Sequence, residues 1–269
     1  MARGVQSAAL MGAKRGDMAM AAPRCGRYEA RFAQSPQDLD RARALRRLAF
    51  RTARGLGDAG GWDADDLDAI CRHVLIVDRR GDEVVACFRL LPLTSGGEIG
   101  KTYSARHYDL TALAGYGEPM VEIGRFCLHP DRHDPDILRA AWAALTRFVD
   151  NHRAGMLFGC SSFAGANVNA HREAFAQLRA NHLAPRRWLP RVKAPIVYQY
   201  ALQLAGVSPD PAKALRAMPP LLRSYIGMGA WVSDHAVIDN ELNTLHVFTG
   251  LEIAAIPQAR VRALHDLLA

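Results

Sequence analysis

A chain of 269 residues, 49% hydrophobic and 23% charged, can bury a large core in one domain or in two small ones. No apolar run approaches the roughly 20 residues that cross a bilayer, and Ala8-Ala9-Leu10-Met11 is too brief for the hydrophobic part of a signal peptide, so a soluble, cytoplasmic protein is expected. A net charge of +7 calls for an acidic partner, and composition alone leaves nucleic acid, an anionic membrane surface and an acidic protein open.

Residues 1–27 are rich in Ala, Gly, Met and basic side chains without apolar periodicity, which predicts a disordered basic tail with further start candidates at Met11, Met18 and Met20. Tyr28 to Ala33 alternates like a strand. Ser35-Pro36 with Asp38 then opens a helix to about Arg54, its apolar face marked by Leu39, Ala42, Leu45, Ala49 and Phe50 and the rest crowded with arginines. Gly55 to Trp62 reads as a mobile loop and is followed by Asp63, Asp65, Asp66 and Asp68. His73 to Val77 and Val84 to Leu91 predict a hairpin around Asp78 to Asp82. A loop to about Glu118 leads into the strand Val121 to Leu128, and Asp134-Pro135-Asp136 caps a helix buried through Ile137, Ala141, Leu145 and Phe148. Met156 to Cys160 reads as a short buried strand, Ser161 to Asn167 as a loop, the segment to Asn181 as a helix, and Ile196 to Leu204 as a late strand. The proline-rich Val207 to Pro220 sets off a C-terminal extension, residues 206–269, expected to pack on a domain of residues 28–205. In it a short helix near Leu221 to Ile226, strands near Ala230 to Val232 and Thr244 to Leu251, and a last helix from Pro257 are expected. This order gives an α/β (α+β) pattern with a mixed sheet flanked by helices.

The strand around Glu122-Ile123-Gly124-Arg125-Phe126 has the apolar density of a central strand yet carries a carboxylate and a guanidinium, which are rarely buried without partners. Regular alternation puts Glu122 and Arg125 on opposite faces, whereas a bulge at Gly124 brings both to one cleft. A functional pair and a structural ion pair both fit this pattern.

The elements Leu45-Arg46…Phe50, Asp65 and Asp68, Phe88-Arg89-Leu-Leu-Pro92 and Glu122-Ile-Gly-Arg125-Phe resemble, in this order, those of the acyl-homoserine-lactone synthases within the GNAT superfamily of N-acyltransferases. Gly124 stands where those enzymes usually carry serine. Cys71-Arg-His-Val-Leu-Ile-Val, Leu157-Phe-Gly-Cys-Ser-Ser-Phe163 and Pro219-Pro-Leu-Leu-Arg-Ser-Tyr225…Gly229-Ala230…Asp239…Asn243-Thr look more like the related L-ornithine Nα-acyltransferases, over roughly Arg27 to Leu251. His246 departs from that family, which often has an aspartate there. The resemblance implies a GNAT-like, mainly antiparallel sheet with a bulged, splayed central strand pair. It also implies transfer of a 3-hydroxyacyl group from acyl carrier protein to the α-amino group of L-ornithine, the first step of ornithine-lipid synthesis.

Acyl transfer to an α-amine needs the neutral nitrogen, so a base must remove a proton, and Glu122 is the candidate, acting through water. Arg89 and Arg125 suit a substrate carboxylate or the thioester carbonyl, and equally suit anchoring the loop through Asp65 or Asp68. The two aspartates are candidates to receive ornithine's cationic side chain, with helix capping as the commoner use. Arg46 and Phe50 complete the substrate-binding set that the resemblance implies. Coenzyme A-dependent relatives bind pyrophosphate on a glycine-rich loop at the helix after this strand. Here that segment reads His129-Pro-Asp-Arg-His-Asp-Pro135, without glycine and with aspartates, so no cofactor is expected and an acyl-phosphopantetheine on acyl carrier protein is the expected donor.

Five cysteines without a Cys-x-x-Cys pair predict reduced, mostly buried thiols, Cys160 being read as core, and the histidines show no metal-ligand spacing. Alternatives left standing are another amine acceptor, S-adenosylmethionine among them, and a non-enzymatic basic protein that binds nucleic acid or membrane. The leading reading has no nucleic-acid partner, and leaves a peripheral position at the inner membrane open.

Overall fold

The computed structural model describes residues 24–56 and 63–268, so most of the expected N-terminal tail and of the glycine-rich loop lies outside the described residues. In chain order the elements are β1 (Arg24–Cys25), β2 (Tyr28–Phe32), α1 (Pro36–Phe50), β3 (Arg72–Asp78), β4 (Glu83–Leu93), α2 (Ser104–His107), β5 (Tyr108–Asp109), β6 (Met120–Leu128), α3 (Pro135–Asn151), β7 (Met156–Ala164) and α4 (Arg172–Asn181). There follow β8 (Arg191–Val192), β9 (Val197–Tyr198), α5 (Tyr200–Gln203), α6 (Pro211–Ala217), α7 (Pro220–Ile226), β10 (Trp231–Val232), β11 (Ala236–Asp239), β12 (Thr244–Glu252) and α8 (Gln258–His265). The chain divides into two compact units, the first made of segments up to Leu91, Ile123–His152 and Val261 onward, the second of Pro92–Glu122 and Arg153–Arg260.

In the first unit the strand order is β1-β2-β3-β4-β6. The pairs β1–β2, β2–β3 and β3–β4 are antiparallel, and a register shift between Ile76 and Val77 brings His73 opposite Arg89. Helix α1 starts as its sequence dictates: the Ser35 side chain accepts from Asp38 N and Pro36 occupies the first turn, where its missing N–H costs nothing. Its buried Ala42 and Leu45 pack with Leu75, Val77, Val84, Cys87 and Cys127, and Phe50 closes the edge of this cluster. Removing a side chain such as Leu45 from such a site costs about 2–5 kcal/mol. Helix α3 begins at Asp134, whose side chain accepts from Asp136 N.

The second unit carries the order β7-β12-β11-β9, with β10 on β12. Strands β7 and β12 pair antiparallel from Met156↔Glu252 to Ala164↔Thr244. One face of this ladder, with Phe163, Leu245 and Val247, packs on Phe175 and Leu178 of α4 and on Tyr200, Leu204 and Leu222. Gly250 admits the Trp231 ring; a Cβ there would lie 2.5 Å from ring carbons.

Several local expectations change. Residues 24–27, assigned to the tail, form β1 and its turn into β2. The loop expected at Ser161 continues β7 to Ala164, because Ser161, Ser162 and Phe163 find backbone partners in Val247, His246 and Leu245. Ile196 to Leu204 is a two-residue strand followed by a helical turn: Tyr200 and Leu204 share a buried side while Leu202 is 70% exposed, the i, i+4 pattern of a helix rather than alternation. The proline-rich stretch contains α6, capped by Asp210 through Ala212 N and Lys213 N with Pro211 at the first turn. Strand β11 was not expected. In β6 Arg125 is left-handed, at φ 52°, one position beyond Gly124, an irregularity that regular alternation does not supply. Of the five free cysteines, Cys87 and Cys127 are buried and Cys25, Cys71 and Cys160 half-buried, so the thiols are less enclosed than expected.

Candidate active site

In the first unit the sequence-selected acids and arginines form one ion-pair network. Arg46, 1% exposed, clamps both oxygens of Asp68 at 2.8 and 2.9 Å and holds Asp63 Oδ1 at 3.1 Å. Arg89, also buried, forks onto Asp65 at 2.5 and 2.9 Å and reaches Asp68 Oδ1 at 2.9 Å. Arg43 adds a contact to Asp68 Oδ2 at 3.2 Å. Arg125 meets Asp63 at 3.6 Å and Asp65 at 3.4 Å. Its left-handed backbone costs about 1–2 kcal/mol, which these ion pairs help offset. Asp65 sits at the cap position of a short 3-10 turn, Asp66–Ala69, yet its side chain caps nothing and goes to Arg89 instead.

Burial works against the charge on Asp68, but the hydrogen bonds and charge of Arg46 outweigh it and hold the carboxyl well below its ordinary range; Asp65 is lowered in the same way by Arg89. The Arg89 guanidinium is raised although burial opposes it. Both Asp68 oxygens are thus shared among three guanidinium groups, and a substrate cation would have to compete with them. Phe50 lies against the hydrophobic cluster, with the Arg54 guanidinium 5.5 Å above its ring.

Glu122 belongs to the second unit and is 4% exposed. Its Oε2 accepts from Tyr103 N at 2.9 Å, and its Oε1 from Ser104 N at 2.7 Å and Ser104 Oγ at 2.6 Å. These donors come from the start of α2, where the first N–H groups have no partner within the helix. Thr102 Oγ1 accepts from Ala105 N and fixes the same turn. The segment is held from the other side by β5–β8 pairing, by Ala194 N donating to His107 O, and by Lys193 Nζ donating to Ala105 O at 2.6 Å. Ser104 Oγ also lies 3.5 Å from Cys160 Sγ, so Cys160 sits beside a polar group rather than in the core.

Sequence reasoning missed Ser104, Tyr108 and His235, and met His246 only as a departure from a resemblance. Tyr108 Oη donates to His246 O at 2.7 Å, and its ring lies 5.7 Å from that of His246 and 5.2 Å from that of His235. His235 Nδ1 is 2.6 Å from Asp234 Oδ1. The signal was the density of Ser, Tyr and His between Thr102 and Tyr108, which the contacts of Tyr108 with His246 and His235 connect to residues 235–246 only in the folded chain. Nearby in sequence to β8, Arg186, Arg187, Arg191 and Lys193 are all exposed, whereas Arg41, Arg43, Arg47, Arg51 and Arg54 are half-buried.

Among the described residues no helix is long and apolar enough to cross a membrane, and no group of three or more His, Cys, Asp or Glu is placed to hold a metal ion. Residues 45–143 match the family model described as acetyltransferase (GNAT) domain. The solved structure of FeeM, an N-acyl amino acid synthase from uncultured soil microbes, is 12% identical with a TM-score of 0.46, covering 85% of this chain and 92% of that one; at that score it carries no functional weight. An L-ornithine N(alpha)-acyltransferase of Brucella abortus is 30% identical over 266 residues, 94% of each chain. Another from Rhodobacter capsulatus is 33% identical over 243 residues, 86% of this chain and 92% of its own length. With such identity over nearly the whole length, the chain belongs to the L-ornithine Nα-acyltransferase family.

Proposed function

We propose that the protein moves a 3-hydroxyacyl group from the phosphopantetheine thiol of acyl carrier protein to the α-amino group of L-ornithine, giving a lyso-ornithine lipid. The observation that carries this reading is the match to relatives named for ornithine Nα-acylation over 86% and 94% of this chain. The α-amine arrives mostly as ammonium and must lose a proton before its lone pair attacks the thioester carbonyl. Glu122 takes that proton through water, its carboxylate aimed by three donors from Tyr103 and Ser104. The C–N bond forms, the C–S bond breaks, and the thiolate of the carrier leaves and is protonated.

The network of Arg46, Asp65, Asp68 and Arg89, backed by Phe50, holds the segment after the glycine-rich loop in place. Arg125, with the longest contacts of the set, is the guanidinium most readily exchanged onto a substrate carboxylate. Carrier-bound donor is favoured over coenzyme A by the start of α3, where the Asp134 carboxylate accepts from the amide of Asp136 and its charge would repel a pyrophosphate. On this reading the enzyme works in the cytoplasm with its carrier protein, needs no cofactor, and meets the membrane surface through its product. Lipid extracts of cells expressing the chain are expected to contain an N-(3-hydroxyacyl)ornithine by mass spectrometry; an extract enriched instead in an acylated form of another amine would replace ornithine as the acceptor.

A further inference from the structure

The β7–β12 ladder has two faces. Phe163, Leu245 and Val247 fill the core beneath α4, so the neighbouring positions of each strand point the other way, and there the register sets His246 against Ser162 and Phe248 against Cys160. Residues 104–108 lie on that second face: Ser104 Oγ reaches Cys160 Sγ at 3.5 Å, and the Tyr108 ring packs on His246 and Phe248. Ser104, which holds Glu122, and Tyr108, which holds His246, are one helical turn apart.

His246 is 2% exposed, and its protonation pattern follows from its neighbours. The single Tyr108 hydroxyl proton is donated to His246 O at 2.7 Å, and Tyr108 Oη lies 3.2 Å from His246 Nδ1. Only an Nδ1–H donating to Tyr108 satisfies both contacts, which leaves Nε2 as a bare lone pair. That Nε2 is buried and has no hydrogen-bond partner. Burial first, then the neighbouring His107 and His235, lowers the ring to about 3, so it is neutral at physiological pH and accepts rather than donates at Nε2. A buried acceptor left unpaired is costly, and in native proteins such groups call for a partner.

We infer that His246 Nε2 accepts a hydrogen bond from an amine N–H of the acceptor substrate and thereby orients it. This rests on the reading given above, in which Glu122 deprotonates an amino acid's α-amine. An amine N–H is the donor chemistry that such a substrate brings, and the short α2 segment ties the orphan acceptor to the carboxylate that takes the proton. Two sources share this chemistry, the α-amine and the side-chain δ-amine, and the test separates them.

Steady-state kinetics with acyl carrier protein as donor would compare wild type, His246→Gln and His246→Leu, using ornithine and norvaline, which lacks the δ-amine. Glutamine keeps an acceptor near the Nε2 position; leucine removes it. The inference expects His246→Leu to raise the ornithine KM about tenfold or more, the scale of one well-placed hydrogen bond, with the donor KM unchanged and His246→Gln close to wild type. An equal rise for norvaline assigns the bond to the α-amine, and a rise confined to ornithine assigns it to the δ-amine. Unchanged ornithine KM in His246→Leu, or a rise in the donor KM equal to that for ornithine, overturns it. Nitrogen-15 NMR of histidine-labelled wild type covers the case in which the variants do not fold: the Nε2 resonance should shift on adding ornithine, and an unmoved resonance also overturns it. A wild type that acylates other amines but not ornithine defeats the ornithine reading instead, and the NMR titration with the amine it does use still decides the hydrogen bond.

Discussion

Glu122 is where structure and chemistry are hardest to separate, because the donors that aim a base also stabilise the turn that supplies them. Glu122→Gln keeps size and can still accept a hydrogen bond at one oxygen, while the amide cannot take the amine's proton. The amide NH2 must face a donor where a carboxylate oxygen now accepts, so a modest loss of melting temperature is expected; the rate should fall on the order of 10²- to 10⁴-fold, and rising pH should partly restore it as more amine becomes neutral unaided. A pH–rate profile beside thermal melts checks this; a large loss of melting temperature with pH-independent activity loss would give Glu122 a structural role. At this scale the sequence was informative about residue identity and poor about partners. Glu122 and Arg125 announced themselves as charges on an apolar strand, but the donors to Glu122 are mostly backbone N–H groups, and every residue type carries those. His246 stayed obscure because the meaning of its ring depends on a tyrosine 138 positions away.

Among the elements, the ion-pair network around the Asp66–Ala69 turn and the buried histidines make distinct claims about acid. Asp65 and Asp68 have folded pKa values below their unfolded ones, so their stabilisation is present above about pH 4 and is lost as the pH falls further. His246, lowered to about 3 by burial, stays neutral while the unfolded chain takes up a proton near pH 6.5. The unfolded state binds more protons between those values, so stability falls as pH drops from about 6.5 toward 3, and His73, also lowered by burial, adds to this. Urea midpoints should therefore decline from about pH 6.5 downward, more shallowly in His246→Gln; a flat midpoint between pH 7 and 5 would contradict the neutral buried rings.

The segment 186–193 carries a different prediction. Its basic side chains are exposed while those of α1 are partly buried, and it pins residues 105–109 through Lys193 and the β5–β8 pair. Reversing Arg186 and Arg191 to Glu should raise the KM for acyl carrier protein, leave that for ornithine nearly unchanged, and matter less at high salt as screening shortens to a Debye length of about 8 Å near physiological ionic strength. Donor kinetics unaffected by the pair would point instead to Arg41, Arg43 and Arg47 of α1 as the docking surface. Helix starts were legible wherever Asp or Ser preceded Pro, as at Ser35-Pro36 and Asp134-Pro135, and the same signal at Asp210-Pro211 went unused within a proline-rich stretch. Strand ends were less legible, since Ser161 to Ala164 owes its extended form to β12, some 80 residues on.

For the molecule as a whole, the order of strands and helices and a few charged motifs suggested a GNAT-like acyltransferase, and the family model and full-length relatives agree with that assignment. What the order left out was the division of the chain, in which residues 92–122 group with residues 153–260 and Glu122 falls at the end of that segment. Long-range pairing decides such a grouping, and no local pattern records it. The most direct test of the account uses purified protein, 3-hydroxyacyl carrier protein and ornithine labelled with nitrogen-15 at the α-amine only, with the product analysed by mass spectrometry after fragmentation. The product should be an amide that carries the label at its nitrogen, with a free δ-amine and one equivalent of released carrier thiol. Acylation at the unlabelled δ-nitrogen, or equal turnover with the acyl group on coenzyme A, would contradict it.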